Sequence, residues 1–90
     1  MRIHRYTILP QQSKIRLPRG ATIIRVGWSK MHDSASLWAV VNPISPDHEY
    51  TAAVLPTGEN IPNSYLEYAG SFETPEGLVF HLFTDKELLP

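Results

Sequence analysis

Prolines and glycines fall so regularly along this 90-residue chain that little room is left for regular structure longer than a strand. Eight prolines and five glycines punctuate it. Between them the residues alternate or run apolar over strand-length stretches, the pattern of an all-β domain. The clearest case is residues 65–83, YLEYAGSFETPEGLVFHLF, which predict two strands folded back around Thr74-Pro75-Glu76-Gly77. Pro75 presets φ for a type I turn, and Gly77 can take the left-handed conformation that starts a G1 bulge. That turn sets Thr74 opposite Leu78, then Phe72 opposite Phe80, Gly70 opposite Leu82 and Tyr68 opposite Thr84. On the other side of the ribbon Glu73 faces Val79, Ser71 faces His81 and Ala69 faces Phe83.

The remaining segments follow the same logic. Residues 3–9 end at Pro10. Residues 13–17 alternate Lys14 and Arg16 with Ile15 and Leu17, as a half-buried strand does. After the connector Pro18-Arg19-Gly20, residues 21–29 place Thr22, Ile24, Val26 and Trp28 on the core side and Arg25 away from it. Residues 30–36 read as a loop. Residues 37–41 (LWAVV) are apolar on both faces, which suits a central covered strand or one with a face in a subunit contact. Pro43 and Pro46 make 42–48 a loop, and 49–55 return antiparallel to 37–41. Residues 56–64 form the longest irregular stretch, and 85–90 form a short tail. The expected fold is a single compact antiparallel sandwich, or a small partly open barrel, of six to seven short strands.

Composition excludes several classes. There is no cysteine, so neither disulfides nor thiolate zinc sites can support so small a core, as befits a reducing compartment. Met1-Arg2-Ile3-His4-Arg5 is followed by no apolar core of a secretory signal. No apolar run approaches the roughly 20 residues needed to cross a bilayer. A cytoplasmic protein, free of membranes, is expected. Eight bases against nine acids give a net charge of −1, but the distribution is lopsided. Arg2, Arg5, Lys14, Arg16, Arg19, Arg25 and Lys30 precede the first acid, Asp33. Either later acidic strands pair with these and the charges interleave, or the bases form a face that attracts an anion or an acidic protein patch.

Motifs for chemistry are weak. None of His4, His32, His48 and His81 has another His or a Cys at metal-ligand spacing, and neither His32-Asp33 nor Asp47-His48 points two ligands to one side of a strand. No metal and no cofactor are expected. Ser71 opposite His81 could be a nucleophile and its base. Without a Gly-x-Ser-x-Gly elbow or a third supporting group, it reads as a cross-strand hydrogen bond. Thr57-Gly58-Glu59-Asn60 lacks the lysine and further glycines of a phosphate loop and reads as a turn. A pI near 6.4 disfavours nucleic acid. Trp28 and Trp38 suit a core or an interface, where tryptophan is enriched.

Several segments carry a resemblance. Tyr6-Thr7-Ile8-Leu9-Pro10, then Leu17-Pro18-Arg19-Gly20-Ala21-Thr22-Ile23, then LWAVV and the Thr-Gly loop resemble a family of small uncharacterised phage and prophage β-proteins. Tyr68–Phe72 and Leu78–His81 match the same pattern. Where that family has glycine before the threonine of the loop, this chain has Pro56. The resemblance implies a phage origin and no established activity.

The functional expectation is a non-enzymatic binding protein that forms a homo-oligomer. It either inhibits a host protein or sequesters an anionic, nucleotide-type small molecule in counter-defence. A structural or oligomerisation module of a phage particle is the alternative, followed by a small nucleic-acid-binding domain. Chemistry selects Arg16, Arg19, Arg25 and Trp28 for a ligand, and Leu37, Trp38 and Val40 for an oligomer or partner contact.

Overall fold

The computed structural model describes residues 1–90 as seven strands in two antiparallel sheets. Strands β1 (Arg2–Thr7), β4 (Ser34–Val41) and β3 (Thr22–Ser29) form one sheet in that order. Strands β2 (Lys14–Pro18), β5 (Asp47–Pro56), β7 (Val79–Asp85) and β6 (Leu66–Glu73) form the other. The sheets do not close on each other, so the sandwich, not a closed barrel, is the architecture. The one helical piece is a 3-10 turn, Lys86–Leu88, which drops Leu88 fully into the core.

Alternation explains most of the packing. Ala35, Leu37, Ala39 and Val41 of β4 all point inward and are buried, against Leu17 of β2, Tyr50 of β5 and Leu82 of β7 in one apolar cluster. Burying a leucine completely contributes about 1.5–3 kcal/mol, so Leu17, Leu37, Leu82 and Leu88 are the main anchors of so small an interior. Every buried side-chain polar atom has a hydrogen-bond partner.

The β6–β7 hairpin forms as its turn chemistry requires. The Thr74 amide donates to Leu78 O at 2.8 Å, the Gly77 amide donates to Thr74 O at 2.9 Å, and Gly77 sits at φ +88°. Phe72 pairs with Phe80, Ser71 with His81, Gly70 with Leu82 and Glu73 with Val79. Beyond Gly70 a bulge at Ala69 shifts the register, so Tyr68 faces Phe83 and Glu67 faces Thr84. The bulge coincides with a tertiary contact. There β6 passes beneath β3, and a Cβ on Gly70 would lie 2.6 Å from Val26 Cβ. The bulge bends the edge strand at this crossing, as bulges do.

Three further expectations are corrected. A second bulge, at Ile24 in β3, pairs Ile23 with Ala39 and Arg25 with Trp38. It reverses the side-chain parity, so Ile23 is buried while Thr22 and Ile24 leave the core. Strand β4 begins at Ser34, not after Ser36, because the β3–β4 connection is only Lys30–Asp33, closed by the Asp33 amide on Lys30 O. Strand β5 does not pair with β4. The loop 42–46, tightened by Ser45 N to Asn42 O, carries the chain from one sheet to the other, and β5 lies between β2 and β7.

Candidate functional site

Sheet membership sorts the charges. The three strands of the β1–β4–β3 sheet contain no Asp or Glu, whereas β5, β6 and β7 carry Asp47, Glu49, Glu67, Glu73 and Asp85. Arg16 of β2 therefore meets acids: it is opposite Glu49 and pairs with Asp47 at 3.8 Å. Arg19 Nη2 donates to His48 Nδ1 at 2.9 Å. A guanidinium only donates, so that contact places the imidazole proton on Nε2.

The bases of β1 and β3 meet none. On the outward face of their sheet, register sets Arg5 and Arg25 on either side of Trp38. Arg5 Nη1 donates to Ser36 Oγ at 2.7 Å, to Thr7 Oγ1 at 3.1 Å and to Ser34 Oγ at 3.4 Å. Arg25 lies over the Trp38 ring, with Cζ 5.0 Å from the centroid, a cation–π geometry. Its guanidinium passes over Gly27, with Nε 3.6 Å from where a Cβ would stand, an ordinary contact distance. The only ion pair in the molecule is Arg16–Asp47, which leaves both guanidinium groups without a carboxylate. Around them Ile3 is 61% and Ile24 50% exposed, and Val40 is half-buried opposite Ile3.

The residues selected from sequence thus fall into separate places. Arg16 and Arg19 belong to the β2 edge, Arg25 to the outward sheet face, and Trp28 to the inner side of β3, opposite the buried Ala35. These four do not share a cavity. Trp38 and Val40 are on the outward face together, but Leu37 points the other way and is 1% exposed, so it belongs to the core and not to a contact surface. Arg5, Ile3 and Ile24 were not singled out from sequence. The only signal for Arg5 was its position in an acid-free stretch.

The opposite sheet carries a different polar array on its outward face. Tyr68 OH, Ser71 Oγ, His81 Nδ1, His81 Nε2 and Thr57 Oγ1 form a chain of contacts at 2.7, 2.8 and 2.9 Å. Both imidazole nitrogens are occupied by hydroxyls, and no carboxylate orients the ring. The Ser71–His81 pair is the cross-strand hydrogen bond its register implies. Thr57 opens a turn in which the Glu59 amide donates to Pro56 O at 3.2 Å with Gly58 at φ +95°. That amide is used within the turn. The histidines lie apart, and no group of three metal-ligating side chains converges. Tyr6, opposite Leu37, has its phenol pushed above the ordinary tyrosine range, first by burial and then by the nearby Asp47 carboxylate.

Two hollows remain. A polar one of about 400 Å³ lies among His48, Tyr65, Glu67, Asp85, Lys86 and Glu87. An apolar one of about 320 Å³ opens between the sheets beside Trp28, Val54, Phe72 and Phe80.

Fold and surface together define a small β-sandwich whose most distinctive feature is one acid-free, arginine-bearing sheet face. The chain belongs to DUF7352, a domain of unknown function, which it matches over residues 1–89. No curated protein and no solved structure matches it.

Proposed function

We propose that this domain is a non-enzymatic accessory protein of phage type that acts by binding a host protein, and that the outward face of the β1–β4–β3 sheet is the contact surface. The observation that carries the reading is the row Arg5–Trp38–Arg25, two guanidinium groups with no carboxylate partner, beside exposed Ile3 and Ile24. Arginine and tryptophan at the centre of a surface are the residue types that dominate binding energies when buried by a partner. Charge complementarity selects an acidic partner surface with an apolar centre. A contact between copies across this face would bring together two arginine-bearing surfaces with no carboxylate between them. The partner is therefore a different, acidic protein. Phage origin rests on the resemblance of the segments quoted above.

The nucleotide-sequestering alternative has less support, because Arg16, Arg19, Arg25 and Trp28 are dispersed over the chain.

The test is capture of a stoichiometric partner from a lysate of the host bacterium on the immobilised protein. Capture should be lost in Arg5→Glu/Arg25→Glu, kept in Arg16→Glu/Arg19→Glu, and weakened by salt. Loss in the second variant and not the first would sink the reading, as would a wild-type protein that retains nothing. Displacement of the partner by millimolar nucleotide, but not by inorganic phosphate, would favour the nucleotide alternative. Light scattering separately checks the homo-oligomer expected from the sequence, which this reading confines to a face other than the arginine-bearing one.

A further inference from the structure

The apolar cavity between the sheets is built from other residues and points to other chemistry. Its walls are Trp28 of β3, Val54 of β5, Phe72 of β6 and Phe80 of β7, with Ile8 and Ala35 at its base. Phe72 and Phe80 are the cross-strand pair set by the Thr74–Gly77 turn, and their rings stack at 5.5 Å and 20°. Trp28 packs against the core yet stays only partly buried, because its remaining surface opens onto this space. At about 320 Å³ the cavity falls at the small end of ligand pockets, which begin near roughly 300 Å³.

Charge narrows the occupant. Of the twelve lining residues Asp33 alone is ionisable, and no base is among them. Asp33 makes no ion pair. It closes the β3–β4 turn at φ +49°, a left-handed conformation that aspartate tolerates, with its amide held on Lys30 O. Thr7, Ser34 and Thr74 supply the other polar groups of the lining. An anion entering this space would be desolvated against apolar walls and meet only a carboxylate, whereas a cation would find its counter-charge there.

We infer that this cavity binds a small molecule with a planar aromatic ring and a cationic end, an arylalkylamine in chemical class, with the ring between Trp28 and the Phe72–Phe80 pair and the ammonium toward Asp33. The site does not depend on the arginine face, so either can fail without the other.

The neutral fluorophore N-phenyl-1-naphthylamine, titrated into a Trp38→Phe variant that keeps Trp28 as its only tryptophan, reads the cavity directly. Saturable brightening of the fluorophore with quenching of Trp28 is expected. Tryptamine should displace it at a concentration at least about tenfold lower than indole-3-acetate, because the two differ in the sign of the charge presented to Asp33. Asp33→Asn, a change at an exposed turn, should close that gap while leaving fluorophore binding intact. Ala35→Leu should fill the cavity and abolish binding. Absence of saturable binding overturns the inference, and so does equal or better displacement by the anion. A gap unchanged in Asp33→Asn removes Asp33 from the site and overturns the assigned ligand class.

Discussion

The two outward faces of the sandwich both carry hydrogen-bonded side-chain arrays, and they end differently. On the four-stranded sheet, Tyr68, Ser71, His81 and Thr57 satisfy one another, and both ring nitrogens of the histidine are occupied. On the three-stranded sheet, Arg5 is anchored on three hydroxyls and Arg25 on Trp38, yet neither has a counter-charge. The first array is complete within the chain and therefore structural. The second is positioned but electrostatically open, and the proposed binding role rests on that openness.

The largest effect should come from the place where the two sheets are keyed together. Gly70→Ala would put a Cβ 2.6 Å from Val26 Cβ, and neither backbone can withdraw freely. Overpacking of this kind costs about 1–3 kcal/mol, to be read from urea denaturation. Wild-type stability would mean that the spacing of the faces is not set there.

Ser36→Ala should follow. It removes a fully buried acceptor that holds Arg5 at 2.7 Å, and hydrogen bonds to charged groups contribute about 1.5–3 kcal/mol, discounted here because Arg5 is partly exposed. Partner binding should fall as well, since the arginine loses its anchor. Ser71→Ala cuts the neutral array at its midpoint, and a loss of about 0.5–1.5 kcal/mol without any effect on binding is expected. If Ser71→Ala weakened binding as much as Ser36→Ala, the contrast between the faces would collapse.

Arg25→Gln should change stability least, within about 0.5 kcal/mol, because a modest cation–π contact is lost while a like-charge neighbour is relieved. Its binding defect should exceed that of Arg16→Gln, whose ion pair is exposed on both sides.

A pH experiment probes the interior between the faces. Burial, and less so Asp47, raises the Tyr6 phenol in the folded chain, so the native state keeps a proton that the unfolded chain releases. The corresponding stability is whole below the unfolded value of about 10 and is lost as pH climbs through the folded value. The melting temperature of Tyr6→Phe should therefore decline less steeply than that of the wild type at alkaline pH. Parallel declines would show that Tyr6 does not contribute.

Much of this architecture could be read from the chain, and the failures have a common origin. Pro75 and Gly77 specify their turn locally, so the register from Phe72 to Phe80 and from Ser71 to His81 follows from four residues. The bulges at Ile24 and Ala69 have no local signature, because they exist where β3 crosses β6 and Val26 meets Gly70. A single inserted residue breaks the alternation, so the inward side held by Val26 and Trp28 passes, ahead of the bulge, to Ile23 and not to Thr22 or Ile24. Strand pairing across sheets is equally non-local: the Pro43–Pro46 loop announces a connection but not that it changes sheet. The candidate surface suffered most. Arg25 and Trp38 are distant in sequence, and Arg5 joins them only because β1 and β3 flank the same strand.

The absence of carboxylates from the arginine-bearing sheet has a consequence for regulation. Guanidinium groups keep their charge at every pH a cell reaches, and Arg5 and Arg25 are the charged groups flanking Trp38. The attraction this surface exerts is therefore a constant of the molecule. Protons cannot switch it off from this side. Under the proposed binding role, control would lie with the ionic strength of the surroundings or with the carboxylates of the partner, and not with this domain.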